Sequence, residues 1–198
     1  MTTGETTDRI NPIPTPVGRA AIRAAVLEHA AHLFAERGPN ATSVRDIAER
    51  AGINHGLVFR HFGAKDNLIG AVLDHLGDQH DPNANLTPNP GAQLHVRVLV
   101  RCLLDGYPVG ELQHRFPIME ALIERAKAGG AEQHSASLAA ANAAALLIGW
   151  EILGPFLRAA TGLDEVSESE LRANATTRAA AMLDHPETIV EGQPRDDS

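Results

Sequence analysis

"SVRDIAERAGINHGLVFRHFGAKDNL", residues 43–68, reads as two short helices joined by a sharp turn and followed by the start of a third. Ser43 and Asp46 stand at the spacing of a capping box, with Asp in place of the usual Glu, so a helix is predicted from about Val44 to Ala51. Gly52 suits the residue after that helix, where positive φ is common and glycine adopts it without strain. Asn54 is placed to cap a second helix running to about Phe62, with Val58 and Phe62 turned inward at i and i+4. Lys65 stands at the start of the next helix, whose apolar stripe is Leu68, Ile69, Val72, Leu73 and Leu76, ending at Gly77.

Working outward, "VGRAAIRAAVLEHAAHLFAERG" from Val17 puts Ile22, Val26, Ala30, Leu33 and Phe34 on one stripe at helical spacing, and Gly38 with Pro39 stops that helix. Downstream, "GDQHDPNANLTPNPG" has no periodicity and is dense in turn formers, so 78–90 is predicted to be a connection. Helices are predicted near 91–105, 109–114, 117–128, 132–160 and 167–184, with Pro117 opening one of them. Pro155, after Gly149 and Gly154 in the longest apolar pattern, predicts a kink or break. No stretch alternates long enough to build a sheet. The expected fold is therefore all-α: a three-helix N-terminal unit over 17–77, with its helix pair at about 43–62, and a C-terminal helical unit over 91–185. Residues 1–16 and 186–198 are expected to be a disordered and a flexible tail.

At 198 residues the chain is long enough to bury a core without metal or disulfide staples. Cys102 is its single cysteine, which excludes an internal disulfide and fits a reducing cytoplasm, and its ordinary role is that of a small core residue. The first sixteen residues lack the basic-then-apolar pattern of a secretion signal. The most apolar run, "LAAANAAALLIGW" at 138–150, is too short to span a membrane and contains Asn142, so no membrane partner is expected. The formal charge of −8 argues against nucleic acid until it is divided along the chain. Val17–Asp66 holds seven Lys or Arg against five Asp or Glu, a net +2, whereas the remainder holds ten against twenty, a net −10. The positive part is the part quoted above.

Two helices crossing at a tight turn, the second with a polar edge, form the helix-turn-helix arrangement that lays a recognition helix in the major groove of DNA. Ala48 is small where the helices approach, Gly52 lies in the turn and Val58 is buried. With its surroundings the segment resembles the tetracycline-repressor (TetR) family of transcriptional regulators. The resemblance is carried by "LFAERGPNATSVRDIAERAGINHGLVFRHFGAKDNLIGAVL", Leu33 to Leu73 without a gap, and includes the "TSVRDIA" start, the aromatic-x-His-Phe end of the recognition helix and the Lys opening the next helix. The last two helices resemble the family's C-terminal domain in composition. The resemblance implies double-stranded DNA as partner, a small-molecule effector bound in the C-terminal domain, and a homodimer formed through the last two helices. No cofactor and no metal is implied.

Thr42 and Ser43 lie at a helix start, where hydroxyls and free amides hold phosphate, although capping alone explains Ser43 equally well. For Arg45 the resemblance implies a phosphate or groove contact, and the alternative is a solvated pair with Glu49 at i+4. Asn54, His55 and Gly56, at the N-terminal end of the recognition helix, are expected to reach deepest. Leu57, where relatives often carry Ser or Thr, offers a contact to a thymine methyl, and Arg60 reads guanine or clamps phosphate. Phe59 lacks the hydroxyl of the Tyr common at its position, and His61 resembles a family position facing the DNA backbone. Lys65 is expected to anchor that backbone.

In the C-terminal unit Leu99, Leu103, Phe116, Met119, Ile123, Leu147 and Trp150 are candidates to line a cavity, with core packing as the alternative for each. Arg97, Arg101, Asp105 and His114 are candidate polar contacts. The expected function is a ligand-responsive repressor acting as a homodimer on a palindromic operator, with activation as the alternative. An enzyme is disfavoured because no nucleophile elbow, phosphate loop or paired-cysteine motif occurs. His29 and His32 share a helix face without an evident third metal ligand. A helical interaction protein would leave His55, Arg60 and Lys65 clustering outside the core without a purpose.

Overall fold

A computed structural model describes residues 16–79, 86 and 89–186, all helix and connection with no strand among them. The expected tails, apart from Pro16 and Pro186, and most of the 78–90 connection lie outside the described residues. The helices are α1 (Arg19–Arg37), α2 (Val44–Arg50), α3 (His55–Phe62), α4 (Lys65–Asp78), α5 (Pro90–Leu104), α6 (Val109–Leu112), α7 (Pro117–Ala128), α8 (Gln133–Thr161) and α9 (Glu168–Asp184).

The caps explain most of these boundaries. Asn89 accepts from the Ala92 amide (2.9 Å) and starts α5, and Ser167 accepts from the Glu170 amide (3.2 Å) and starts α9. Pro117 occupies the first position of α7, where its missing donor is no loss. Of the kink or break expected at Pro155, the break is absent: α8 runs through that residue. The ring removes the bond that would reach the Glu151 carbonyl, and Pro155 is exposed, which leaves that site open to solvent.

The 17–77 unit holds α4 in addition to the three helices expected of it, and the first core is built from the inner faces of α1–α4, centred on Phe34, Ile47, Val58, Ile69 and Leu73, all at 1 % exposure or less. It also takes in Val98 and Cys102 of α5 and Val109 of α6, so the two units share one apolar seam. Ile22, at the solvent end of the predicted α1 stripe, is only half-buried. The second core joins α7, α8 and α9 through Leu122, Ala126, Ala136, Ala139, Ala140, Ala143, Ala179 and Leu183. Alanines let α8 lie close to its neighbours, so close packing rather than side-chain bulk carries that contact. The apolar run at 138–150 is not bounded as a separate short segment. That run belongs to a 29-residue helix which length and composition alone would allow to cross a membrane, but its alanine face packs against α7 and α9.

Gly70 of α4 marks a close crossing between the units. A Cβ there would lie 2.2 Å from the Leu112 carbonyl oxygen, so only glycine admits α6 at this distance.

Candidate nucleic-acid interface

The quoted segment folds as its local signals direct. The Ser43 amide donates to Asp46 Oδ2 (2.9 Å) and the Asp46 amide to Ser43 Oγ (3.1 Å), so the capping box is complete. These bonds, the backbone one foremost, hold the Asp46 carboxyl below its usual range. At the other end of α2, Gly52 (φ 66°) donates to the Glu49 carbonyl (3.1 Å) and Ile53 to the Ala48 carbonyl (2.9 Å). That pair of bonds closes the helix and reverses the chain within a few residues. Asn54 Oδ1 then accepts from the Gly56 amide (2.8 Å) and starts α3.

Val58 (1 % exposed) and Phe62 (7 %) fix α3 to the core, which turns the opposite face outward. Asn54, His55, Gly56, Phe59 and Arg60 are exposed, Phe59 by 67 %, and Leu57 and His61 are half-buried at the flanks. The His61 ring lies against Phe62 (centroids 6.4 Å apart), and the Arg23 guanidinium covers the Phe62 ring at 4.7 Å. Arg45 on α2 is exposed beside this face.

Charge pairing sorts the cations. Arg50 is bound to Glu36 through two bonds (2.9 and 3.0 Å), which lower the Glu36 carboxyl and raise the guanidinium, and Arg37 pairs with Asp46 (3.2 Å). These pairs brace α1 against α2. Arg45 and Arg60 form no ion pair among the described residues, so they remain available to an anion. An Arg45–Glu49 pair, the alternative weighed above, is absent.

Two expected contacts are corrected or qualified. Thr42 is 1 % exposed and its hydroxyl donates to the Gly38 carbonyl (2.8 Å), so it serves the α1–α2 turn and presents nothing to phosphate. The Lys65 ammonium is half-buried and donates to the Pro39 carbonyl, which leaves its other protons for an anion beside the same turn.

The 38–42 turn is also held from behind. Asn40 N–H donates to Asp105 Oδ2 (2.7 Å), Asn40 Nδ2 to the Asp105 carbonyl (3.2 Å), and the Tyr107 hydroxyl to Asn40 Oδ1 (3.2 Å). Asp105 and Tyr107 belong to the α5–α6 turn. On the far side of α4, Asp74 Oδ1 accepts from the amides of His114 (3.0 Å) and Arg115 (3.2 Å), and Arg115 pairs with Asp78. None of this clamp was legible in advance except as the bare presence of Asp105 and His114. Both were expected to face a ligand. They tie the helix pair to the C-terminal unit instead.

Behind the clamp lies a cavity of about 590 Å³ between α5, α6, α7, α8 and α9. Leu99, Phe116, Met119, Leu147 and Trp150 line it. Arg97, Arg101, Leu103 and Ile123 do not: Val98 and Cys102 turn α5 onto the first core, which points Arg97, Arg101 and Leu103 to solvent, and Ile123 packs on the second core. Burial pushes the Cys102 thiol up to about 12, so it is an inert apolar filler. Arg125, Glu151, Arg172, Gln93, Gln113 and Thr176 also line the cavity and were not singled out from sequence. A lone acid within the apolar run around Trp150 was the available signal for Glu151.

This pairing of an exposed, acid-free helix with a cavity behind it is that of a helix-turn-helix regulator. Residues 26–72 match the model of the bacterial regulatory proteins, tetR family. The chain is 48 % identical over 189 residues to the HTH-type transcriptional repressor Rv3405c of Mycobacterium tuberculosis (strain ATCC 25618 / H37Rv), covering 93 % of this chain and 99 % of that protein. Among solved structures it is similar in fold to a TetR-family transcriptional regulator from Rhodococcus sp. (TM-score 0.59, 19 % identity, 83 % of this chain and 100 % of that one). It is also similar to a TetR variant from Acinetobacter baumannii AYE in complex with minocycline (TM-score 0.50, 16 % identity, 89 % and 98 %). The chain belongs to the tetR family and is a DNA-binding transcriptional regulator, not an enzyme.

Proposed function

We propose that the protein is a cytoplasmic homodimeric repressor that binds a palindromic operator and leaves it when a small molecule fills the cavity. The observation that carries this reading is the exposed α3 face, with Arg60 and Arg45 unpaired beside it. Asn54, His55, Gly56, Leu57, Phe59 and Arg60 meet base edges or the groove wall, while Ser43, Arg45, His61 and Lys65 meet phosphates. Repression is the named role of the 48 % identical relative. One protein of similar fold is in complex with minocycline, in keeping with an effector here.

The dimer reading rests on α8. Leu138, Asn142, Ala145, Gly149, Ile152, Phe156 and Ala159 recur at alternating steps of four and three along its outer face, and all but the half-buried Gly149 are exposed. Phe156 (67 % exposed), Leu153 (50 %) and Ile152 (41 %) form an apolar end, and the small residues between admit a second helix closely. Two copies joined there and along α9 would carry recognition helices into successive major grooves roughly 34 Å apart, which demands inverted half-sites.

The effector acts through the clamp. Leu99 and Val109, on either side of the α5–α6 turn, line the cavity, and that turn holds Asn40 and so the approach to α2. A ligand that binds better to a different spacing of α5 and α6 shifts the population toward a form whose helix pair no longer fits the operator.

Selection of binding sites from randomised duplexes tests the reading. Inverted repeats are expected, with affinity falling steeply as salt rises. Arg60→Ala is expected to lower operator affinity by about 1–3 kcal/mol and to relax the sequence at one position of each half-site. Unchanged affinity, or a monomer in sedimentation at micromolar concentration, would overturn it.

A further inference from the structure

From the pairing of charges around the cavity we infer that the effector is an electrically neutral, mostly apolar molecule whose polar groups are hydroxyl, carbonyl or amide. This rests on the effector reading above and narrows it to a chemical class.

Three charged side chains reach the cavity wall: Arg125, Glu151 and Arg172. Each is already paired. Arg125 holds Asp184 through two bonds of 2.9 Å, which keep that carboxyl below its usual range. Arg172 lies 3.4 Å from Glu151 and 2.5 Å from Glu168. The Glu151 side chain is 13 % exposed, the most enclosed of the set. An anionic ligand would have to draw Arg172 from Glu151 and leave that carboxylate enclosed without a counter-charge, or break both bonds of the Arg125–Asp184 pair. A cationic ligand would have to displace Arg172 in turn. Freeing Arg172 strands the enclosed Glu151 charge, and freeing Arg125 gives up two charge-assisted bonds to Asp184.

The rest of the wall suits a neutral guest. Phe116, Met119, Leu147, Ile148 and Trp150 supply apolar surface, and the volume lies within the range of about 300–1,000 Å³ typical of sites for drug-sized ligands. Polar groups besides these three enter from two helices and a turn: Gln93 and the buried His95 of α5, Gln113 of the α6–α7 turn and Thr176 of α9. Gln113 is buried and its Nε2 donates to the Arg115 carbonyl (2.7 Å), which fixes the amide plane and leaves its oxygen as an acceptor. Neutral groups of this kind orient a ligand without requiring it to carry charge.

Trp150 is the chain's single tryptophan, so energy transfer from it reports occupancy of this cavity. The full-length protein is titrated with N-phenyl-1-naphthylamine and with its 8-sulfonate, two probes that share one aromatic body and differ in charge. The neutral amine is expected to bind at least about tenfold more tightly and to quench Trp150 by transfer. Glu151→Gln, which removes the carboxylate and loosens Arg172, is expected to improve sulfonate binding several-fold while leaving the amine within about twofold. Ala144→Phe, which fills part of the wall, is expected to weaken the amine about tenfold. A sulfonate that binds the unsubstituted protein as tightly as the amine overturns the neutral class while the effector cavity stands. So does a Glu151→Gln protein that folds and gains nothing for the sulfonate. Transfer from Trp150 to neither probe overturns the effector cavity itself.

Discussion

Asp105→Ala tests the clamp between the helix pair and the C-terminal unit. The substitution removes the Oδ2 that accepts from Asn40 N–H at 2.7 Å, a bond to an ionised group, but leaves the Asn40 Nδ2 bond to the residue 105 carbonyl and the Tyr107 bond to Asn40. A hydrogen bond to a charged group contributes about 1.5–3 kcal/mol. Asn40 is exposed, so water replaces part of it, and the expected loss is about 1–2 kcal/mol. For a chain of this size that is a fall in Tm of roughly 2–8 °C. Asp105→Asn, which keeps an acceptor without the charge, should lose about half as much. Thermal unfolding measures the loss, and amide hydrogen exchange locates it: Asn40 should lose protection in Asp105→Ala while the amides of the α3 interior keep theirs. The carboxylate also lies where a Cβ on Gly38 would be 2.7 Å from Oδ2, so Gly38→Ala should lose more than Asp105→Ala, by expelling Asp105 from the turn and by straining a backbone at φ 82°. An Asp105→Ala protein that melts within a degree of the parent, with Asn40 exchange unchanged, would refute the clamp.

Gly70→Ala would stabilise an open helix by up to about 1 kcal/mol, but here the new methyl meets the Leu112 carbonyl oxygen at 2.2 Å, so a net loss of about 1–3 kcal/mol is expected; a rise in Tm would show that α4 and α6 do not cross as described. Cys102, with its thiol raised to about 12, should resist alkylation at pH 8 in the folded protein and react once the chain is unfolded, and rapid native labelling would contradict its burial. Asp46 and Asp184 are held below their ordinary value of 3.8, by Ser43 and by Arg125 respectively, so their contribution to stability is present above that value and is lost as pH falls through the lowered ones. The Tm difference between the parent and Asp184→Asn should therefore persist at about pH 6 and shrink toward pH 2, and a difference independent of pH would exclude the Arg125 pair as its cause.

The helix elements were legible because their signals are local. A capping box, a glycine at positive φ, an Asn cap and apolar residues at i and i+4 each act within one or two turns of chain, so α2, α3 and the starts of α5, α7 and α9 fall within a residue or two of where the sequence places them. The outward face of α3 followed from the same periodicity, since burying Val58 and Phe62 leaves Asn54, His55, Phe59 and Arg60 no other direction. Tertiary packing settled what periodicity leaves open. The rotation of α5 was decided by Val98 and Cys102 meeting α1, which sent Arg101 and Leu103 to solvent. Thr42 turned inward because the α1–α2 turn offers its hydroxyl the Gly38 carbonyl. Whether Leu147 and Trp150 close on a core or border a cavity depends on the spacing of five helices, to which residues far apart in the chain all contribute. The ion pairs that neutralise the cavity wall, like the Asp105 clamp, join residues that only the folded chain brings together; a side chain's type states what it can bind, and its neighbours in space decide what it does bind.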